Sequence, residues 1–121
     1  MPIRLSGRAS EAYHYPLLLR HLLHRPLAIS PSQQIVYRNQ FRGTYSGLRE
    51  RLGRLASGLA SRGVEAGTTV AVMDWDSHRY LECYFGIPMM GAVLQTVNVR
   101  LSPGEIAYTL DHARAEVLLV H

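Results

Sequence analysis

Three short apolar runs, Thr68–Met73, Ala92–Val97 and Val117–Val120, alternate with amphipathic helical patterns. This alternation limits the possible folds more than any other feature. Parallel strands cannot be joined by tight turns, so an apolar run that is followed by a helix and another apolar run implies a β-α-β unit. The three runs predict an α/β chain with a parallel sheet and right-handed crossovers. Sheets of this kind need cover on both faces, and Val117-Leu118-Leu119-Val120 is a continuous apolar run suited to a strand buried on both sides. Only His121 follows it. The expectation is therefore an incomplete piece of a larger sheet domain, or a chain completed by another polypeptide.

The helices between the runs carry their own signals. Leu48, Leu52, Leu55, Ala56 and Leu59 are spaced as one face of a helix, with Ser46 as its expected N-cap and Gly63 at C′. A second helix is expected from Ser77 to Gly91, kinked or ended early by Pro88, which lacks a backbone N–H. Ser102-Pro103-Gly104-Glu105 has the form of a capping box with proline at the first helical position. Upstream, Ile35–Tyr37 and Phe41–Tyr45 flank Arg38-Asn39-Gln40 and predict a β-hairpin. A short helix is expected over Pro16–His24, limited by Pro26. Residues 1–13 read as a flexible leader and residues 14–121 as the folded part.

Composition excludes several classes of function. The 121 residues are 47% hydrophobic and carry a formal charge of +4, against disorder and low complexity. All thirteen basic residues are arginine, so phosphate-loop and Schiff-base lysine chemistry are absent. The single cysteine, Cys83, rules out an intrachain disulfide. The arginines are scattered, with only Arg49, Arg51 and Arg54 locally dense, so a solvated helix face is expected there rather than a nucleic-acid site. The uncharged apolar run Cys83–Leu94 is about half the length of a bilayer span, so no membrane span is expected. Arg4 and Arg8 precede an apolar stretch broken by Arg20, His21, His24 and Arg25, which is no signal-peptide core. A cytoplasmic chain is the expectation.

Individual motifs supply little catalysis. The loop Asp74-Trp75-Asp76-Ser77-His78-Arg79 follows the first parallel strand, where open α/β sheets bind ligands. Its groups suit acid–base or metal chemistry, or else Asp76 or Ser77 caps the next helix while Trp75 packs. It contains no glycine, so it is not a dinucleotide fingerprint. His21 and His24 share a helix face without a third metal ligand, and His14, His112 and His121 have no recognisable partners. Cys83 reads as a buried thiol, and Ser46 lacks the nucleophile-elbow context.

Residues Asp76 to Ala113 closely resemble the N-terminal region of fatty-acyl-CoA synthetases, members of the AMP-forming adenylate ligase superfamily. The elements Met90-Gly91-Ala92-Val93 and Asn98-Val99-Arg100-Leu101-Ser102-Pro103 carry the likeness, with Val99 where many relatives have proline. Thr44-Tyr45, Arg62-Gly63-Val64 and Gly67-Thr68-Thr69-Val70-Ala71-Val72 extend it in the same order, over about residues 14–121. The resemblance implies ligation of a medium- or long-chain fatty acid to coenzyme A through an acyl-adenylate, with ATP and Mg2+. It implies no catalytic residue and no metal ligand in this chain, because the family's phosphate loop, magnesium-binding glutamate and catalytic lysine lie in later segments. By position it implies that Thr96, Asn98 and Arg100 line the coenzyme A tunnel; alternatively, Asn98 and Arg100 only shape the loop before the next helix. Homodimers, or association with the remainder of a ligase, are the implied assemblies. An isolated chain without ligase activity is expected, with a non-enzymatic interaction module as the alternative.

Overall fold

Helix α1 (Leu19–Ile29) leads into β1 (Gln34–Tyr37) and β2 (Phe41–Thr44), followed by α2 (Tyr45–Ala60), β3 (Thr69–Met73), α3 (His78–Met89), β4 (Val93–Thr96), α4 (Pro103–His112) and β5 (Val117–Val120). These elements come from a computed structural model that describes residues 7–121. Residues 1–6 of the expected leader, Arg4 included, lie outside the described residues. Residues 7–13 hold one turn, in which the Ala12 N–H bonds the Ala9 carbonyl at 3.1 Å.

β1 and β2 pair antiparallel across Arg38-Asn39-Gln40, in register Gln34↔Thr44 to Tyr37↔Phe41. Thr44, rather than Ser46, caps α2: its backbone is extended and its Oγ1 accepts from the Gly47 N–H at 3.0 Å. The last strand residue thus doubles as the cap, which moves the helix start to Tyr45. Gly63 closes the far end as expected. With φ at +86° it lets its own N–H bond Ala60 at 3.0 Å and the Val64 N–H bond Leu59 at 3.1 Å, the paired bonds of a Schellman motif. α1 departs further from expectation, starting at Leu19 and running through Pro26 to Ile29. Pro26 costs one helical hydrogen bond, but the helix continues for only three more residues. In α3, Pro88 stands one residue before the end, and that helix stops early at Met89.

The parallel sheet has the order β4-β3-β5. β3 is central, and Val70, Ala71 and Val72 are buried. Val70 and Val72 share one face with Leu94, Val117 and Leu119, and there meet Tyr80, Cys83 and Ile87 of α3. α2 packs against α3 at Gly86, where an added Cβ would lie 2.9 Å from Leu55 Cδ2, and its Leu59 joins the same core. On the other sheet face, Gln95 Nε2 donates to the Thr109 carbonyl of α4 at 2.9 Å. Leu94 and Gln95 are neighbours and point to opposite faces, so α3 and α4 lie on opposite sides. Right-handed crossovers require this, because the chain moves outward from β3 to β4 and then back past β3 to β5.

β5 corrects one expectation. Val117 and Leu119 are half-buried, while Leu118 and Val120 are exposed, Val120 by 60%. The reason is missing cover on that face: Val117 and Leu119 pack on the core, while Leu118 and Val120 face the other side of the sheet at its edge and stay in water.

Candidate functional site at the carboxyl ends of the strands

The helices after β3 and β4 leave on opposite faces, so their loops diverge at the carboxyl ends of the two strands. Such switch points are where open α/β sheets take ligands. The loop after β3 brings Asp74, Trp75 and Asp76; the loop after β4 brings Asn98 and Arg100. Thr96, Asn98 and Arg100 are all exposed here. Asn98 Oδ1 accepts from the Arg100 N–H at 3.0 Å, and the Leu101 N–H bonds the Asn98 carbonyl at 3.3 Å. The Arg100 guanidinium lies 6.0 Å from the centre of the Trp75 ring, within cation–π range. Trp75 does not pack into the core as one reading expected. It is exposed, because the backbone at Asp76 takes a left-handed turn (φ +55°) between β3 and α3.

Below this surface lies a polar chain that sequence reasoning missed. Asp74 is buried and receives hydrogen bonds from Ser77 Oγ and the Trp75 N–H. Its Oδ1 lies 3.1 Å from His121 Nδ1, and Arg79 Nη1 lies 3.2 Å from His121 Nε2. An arginine can only donate, so the pattern assigns the proton to His121 Nδ1 and the acceptor role to Nε2. Burial pushes the Asp74 carboxyl upward, yet the donors from Ser77, Trp75 and His121 together hold it below the usual carboxylate range. Ser77 is the α3 cap, accepting from Arg79 at 3.2 Å and Tyr80 at 3.4 Å. Its hydroxyl points at Asp74 rather than His121, so Asp74, Ser77 and His121 form no nucleophile–base pair. The sequence offered no signal for this chain, since β5 had first to be placed beside β3.

A second missed feature lies between α2 and α3. Arg51 Nη2 donates to Glu82 Oε2 at 3.2 Å and Arg51 Nε to Glu82 Oε1. The hydrogen bonds that Arg51 donates to Glu82 raise the Arg51 pKa against the opposing effect of burial. Arg51 is therefore not part of a freely solvated face; a glutamate beside Cys83 on the core side of α3 was the legible hint. Cys83 is buried as expected, and burial pushes its thiol up to about 11. Burial, then Arg79, lowers the His78 pKa, and its ring stacks on Phe41 at 3.9 Å. His21 sits against Tyr15 at 4.9 Å, while His24 is exposed. No group of three His, Cys, Asp or Glu among the described residues could hold a metal ion. A cleft of about 1030 Å3 lies between α1, α2 and α3, and none of the strand-end residues lines it.

The strand ends thus carry an aromatic face (Trp75), a cation (Arg100), an amide (Asn98) and a hydroxyl (Thr96) beside the Asp74–Ser77–His121 chain. The AMP-binding enzyme family model matches residues 24–121, and the chain belongs to that family. A long-chain-fatty-acid–CoA ligase of Thermus thermophilus is 41% identical over 120 residues, covering 96% of this chain and 22% of that protein. A peroxisomal acetate/butyrate–CoA ligase of Arabidopsis thaliana is 36% identical over 98 residues, covering 81% of this chain and 17% of that protein. In three dimensions the chain is similar to the anthranilate CoA ligase AuaEII in complex with anthranoyl-AMP, with a TM-score of 0.80 and 28% identity over 88% of this chain and 21% of that one. The fold is that of the N-terminal subdomain of adenylate-forming ligases. The chain spans about a fifth of the length of these relatives.

Proposed function

We propose that residues 14–121 form the opening part of the adenylation domain of a fatty-acyl-CoA ligase. The complete enzyme would join a medium- or long-chain fatty acid to ATP, release pyrophosphate and transfer the acyl group to coenzyme A. The observation that carries this reading is the likeness to the Thermus thermophilus enzyme along almost the whole chain. The residues present do not suit a triphosphate or its magnesium ion. The α3 N-terminus is filled by the Ser77 side chain with the Asp74 carboxylate behind it, and a negative group there repels an anion. No adenylation step is therefore assigned to these residues, and the isolated chain is expected to be inactive.

Coenzyme A fits better. It supplies the thiol that takes the acyl group, and its pantetheine arm carries amides that need hydrogen-bonding partners. Thr96 offers a hydroxyl and Asn98 an amide, while Arg100, steadied over Trp75, offers a cation. In this reading the three residues orient the arm and take no part in bond making.

The test has two arms. The purified chain is incubated with palmitate, ATP, Mg2+ and coenzyme A; formation of acyl-CoA would overturn the expected inactivity. The chain is then grafted in place of the matching segment of the Thermus thermophilus ligase. Asn98→Ala and Arg100→Ala in the graft are expected to raise the KM for coenzyme A about 10-fold, the loss of roughly one good hydrogen bond each, with ATP–pyrophosphate exchange unchanged. An unaltered KM removes these residues from the coenzyme A site. A second reading, a non-enzymatic module that pairs with a complete ligase or with itself, is favoured by the exposed Leu118 and Val120. Light scattering and capture of a full-length ligase distinguish it; a monomer that captures nothing rejects it.

A further inference from the structure

We propose that His78 is an acid-sensitive latch that holds the β1–β2 hairpin against α3. At its base the hairpin is anchored through the backbone, where the Tyr45 N–H bonds the Gln33 carbonyl at 3.2 Å and the Ser46 N–H bonds the Pro31 carbonyl at 3.0 Å. Its far end is held by side chains. Tyr37 and Phe41 are paired beside the turn, and both rings meet His78, the first residue of α3. The Phe41 ring lies nearly parallel to the imidazole, with centres 3.9 Å apart and planes 8° from one another. The Tyr37 ring is tilted against it at 5.5 Å. Gly43 makes room for this stack, since an added Cβ would lie 2.7 Å from Phe41 Cζ. A two-stranded hairpin is marginal by itself, so its strand pairing depends on this docking.

The imidazole fits this stack as the neutral ring. Nδ1 is buried and has no hydrogen-bond partner among the described residues. A neutral ring can leave a bare lone pair there and keep its proton on Nε2, whereas an imidazolium carries a proton on both nitrogens. Charging the ring would bury an N–H without an acceptor and set a cation at the positive end of α3. The neighbours do not repair this. Arg79 of α3 and Arg51 of α2 repel a positive ring, while Glu82 is taken up by Arg51, and Asp74 by Ser77 and His121. The hairpin presents the Tyr37 phenol, and Glu50 and Arg54 of α2, on the same hollow as His78, pair with each other at 3.9 Å. A cation would gain from the Phe41 π face, but that gain is smaller than the loss at Nδ1. Burial first, then Arg79, hold the His78 pKa below its ordinary value, against the pull of Glu82 and Asp74. Above about pH 6.5 the ring is neutral whether docked or free. Below it the free ring takes up a proton that the docked ring does not, so acid favours release until the docked ring also titrates.

Amide hydrogen exchange, followed residue by residue by NMR and corrected for the intrinsic pH dependence of exchange, tests the latch. Between about pH 7.5 and about pH 5.5 the protection of the β1 and β2 amides should fall about 10-fold, the effect of one proton over one pH unit below the ordinary imidazole value. Protection of Val70, Ala71 and Val72 in β3 should stay constant. His78→Phe keeps an aromatic ring on Phe41 and has no nitrogen to titrate, so its hairpin protection should not change with pH. His121→Gln removes the other imidazole near the start of α3 and should leave the pH dependence intact. A direct titration of the His78 ring by NMR in the unaltered chain needs no variant to fold, and should give a pKa below about 6.5. Hairpin protection that ignores pH, a loss shared equally by β3, a pH dependence that survives His78→Phe or disappears in His121→Gln, or a His78 pKa at or above the ordinary value would each overturn the proposal.

Discussion

Replacing Arg51 by methionine should expose how α2 and α3 are held together. Glu82 has only 9% of its side chain exposed, whereas Arg51 has 40%. Removing the guanidinium strands a desolvated carboxylate, while removing the carboxylate leaves an arginine that can swing into water. Breaking a buried pair from one side costs about 3–5 kcal/mol. Water can reach the arginine end of this pair, so the low end applies, about 3 kcal/mol for Arg51→Met. Glu82→Met should cost about 1 kcal/mol, because methionine fills the space and no charge is left behind. The double variant should then cost no more than about 1 kcal/mol, giving a coupling of about 3–4 kcal/mol in the double-mutant cycle. Urea unfolding followed by circular dichroism reads these values; with a slope near 1.5 kcal/mol per molar, the single arginine variant should unfold about 2 M earlier. Additive single effects, or an arginine variant no weaker than the glutamate variant, would refute the assignment of the cost to a stranded carboxylate.

Two further outcomes follow from the turns and the strand ends. Gly67 and Gly91 both have φ at +91°, but only at Gly91 would a Cβ meet Ala66 Cβ, at 3.1 Å. Gly67→Ala should cost about 1–2 kcal/mol for the left-handed backbone, and Gly91→Ala about 1 kcal/mol more for the crowding, compared by urea midpoints; equal losses would remove the crowding argument. The pKa of Asp74 is depressed in the folded chain, so its contribution to stability is present above the ordinary carboxylate value and is lost as the pH falls through the depressed one. Asp74→Asn should therefore be less stable than the wild type near neutrality, with the difference shrinking below about pH 4; a gap that stays constant down to about pH 3 contradicts the ionised role of Asp74.

Much of the architecture could be read before any coordinates. The capping box at Ser102 and Glu105 is present, with Ser102 Oγ accepting from the Glu105 N–H at 3.4 Å and Glu105 Oε2 accepting from the Ser102 N–H at 2.9 Å. Hydrogen bonds from Ser102 hold the Glu105 carboxyl below its ordinary value. The Gly63 closure, the hairpin turn and the three parallel strands were legible for the same reason: each rests on backbone conformation and side-chain period within a few neighbouring residues. The likeness of the Met90–Val93 and Asn98–Pro103 elements to acyl-CoA synthetases was legible too, and with it the family.

Other features became visible only when distant segments met. The pairing of Arg51 with Glu82 spans 31 positions and that of Asp74 with His121 spans 47, and neither has a local pattern. The cap of α2 moved from Ser46 to Thr44 because strand pairing holds Thr44 extended where the helix begins. Leu118 and Val120 look buried as a run of apolar letters and are exposed because they face the side of β5 away from the core that holds Val117 and Leu119. The position of Arg100 over Trp75 also depends on strand order, since β3 and β4 must be adjacent with their helices on opposite faces. Sequence by itself determined the elements, their chirality and the family, because those depend on short-range stereochemistry and motif spacing. Tertiary structure alone decided which charges are paired, which apolar residues stay in water and which loops lie side by side, because burial and electrostatics belong to contacts between segments.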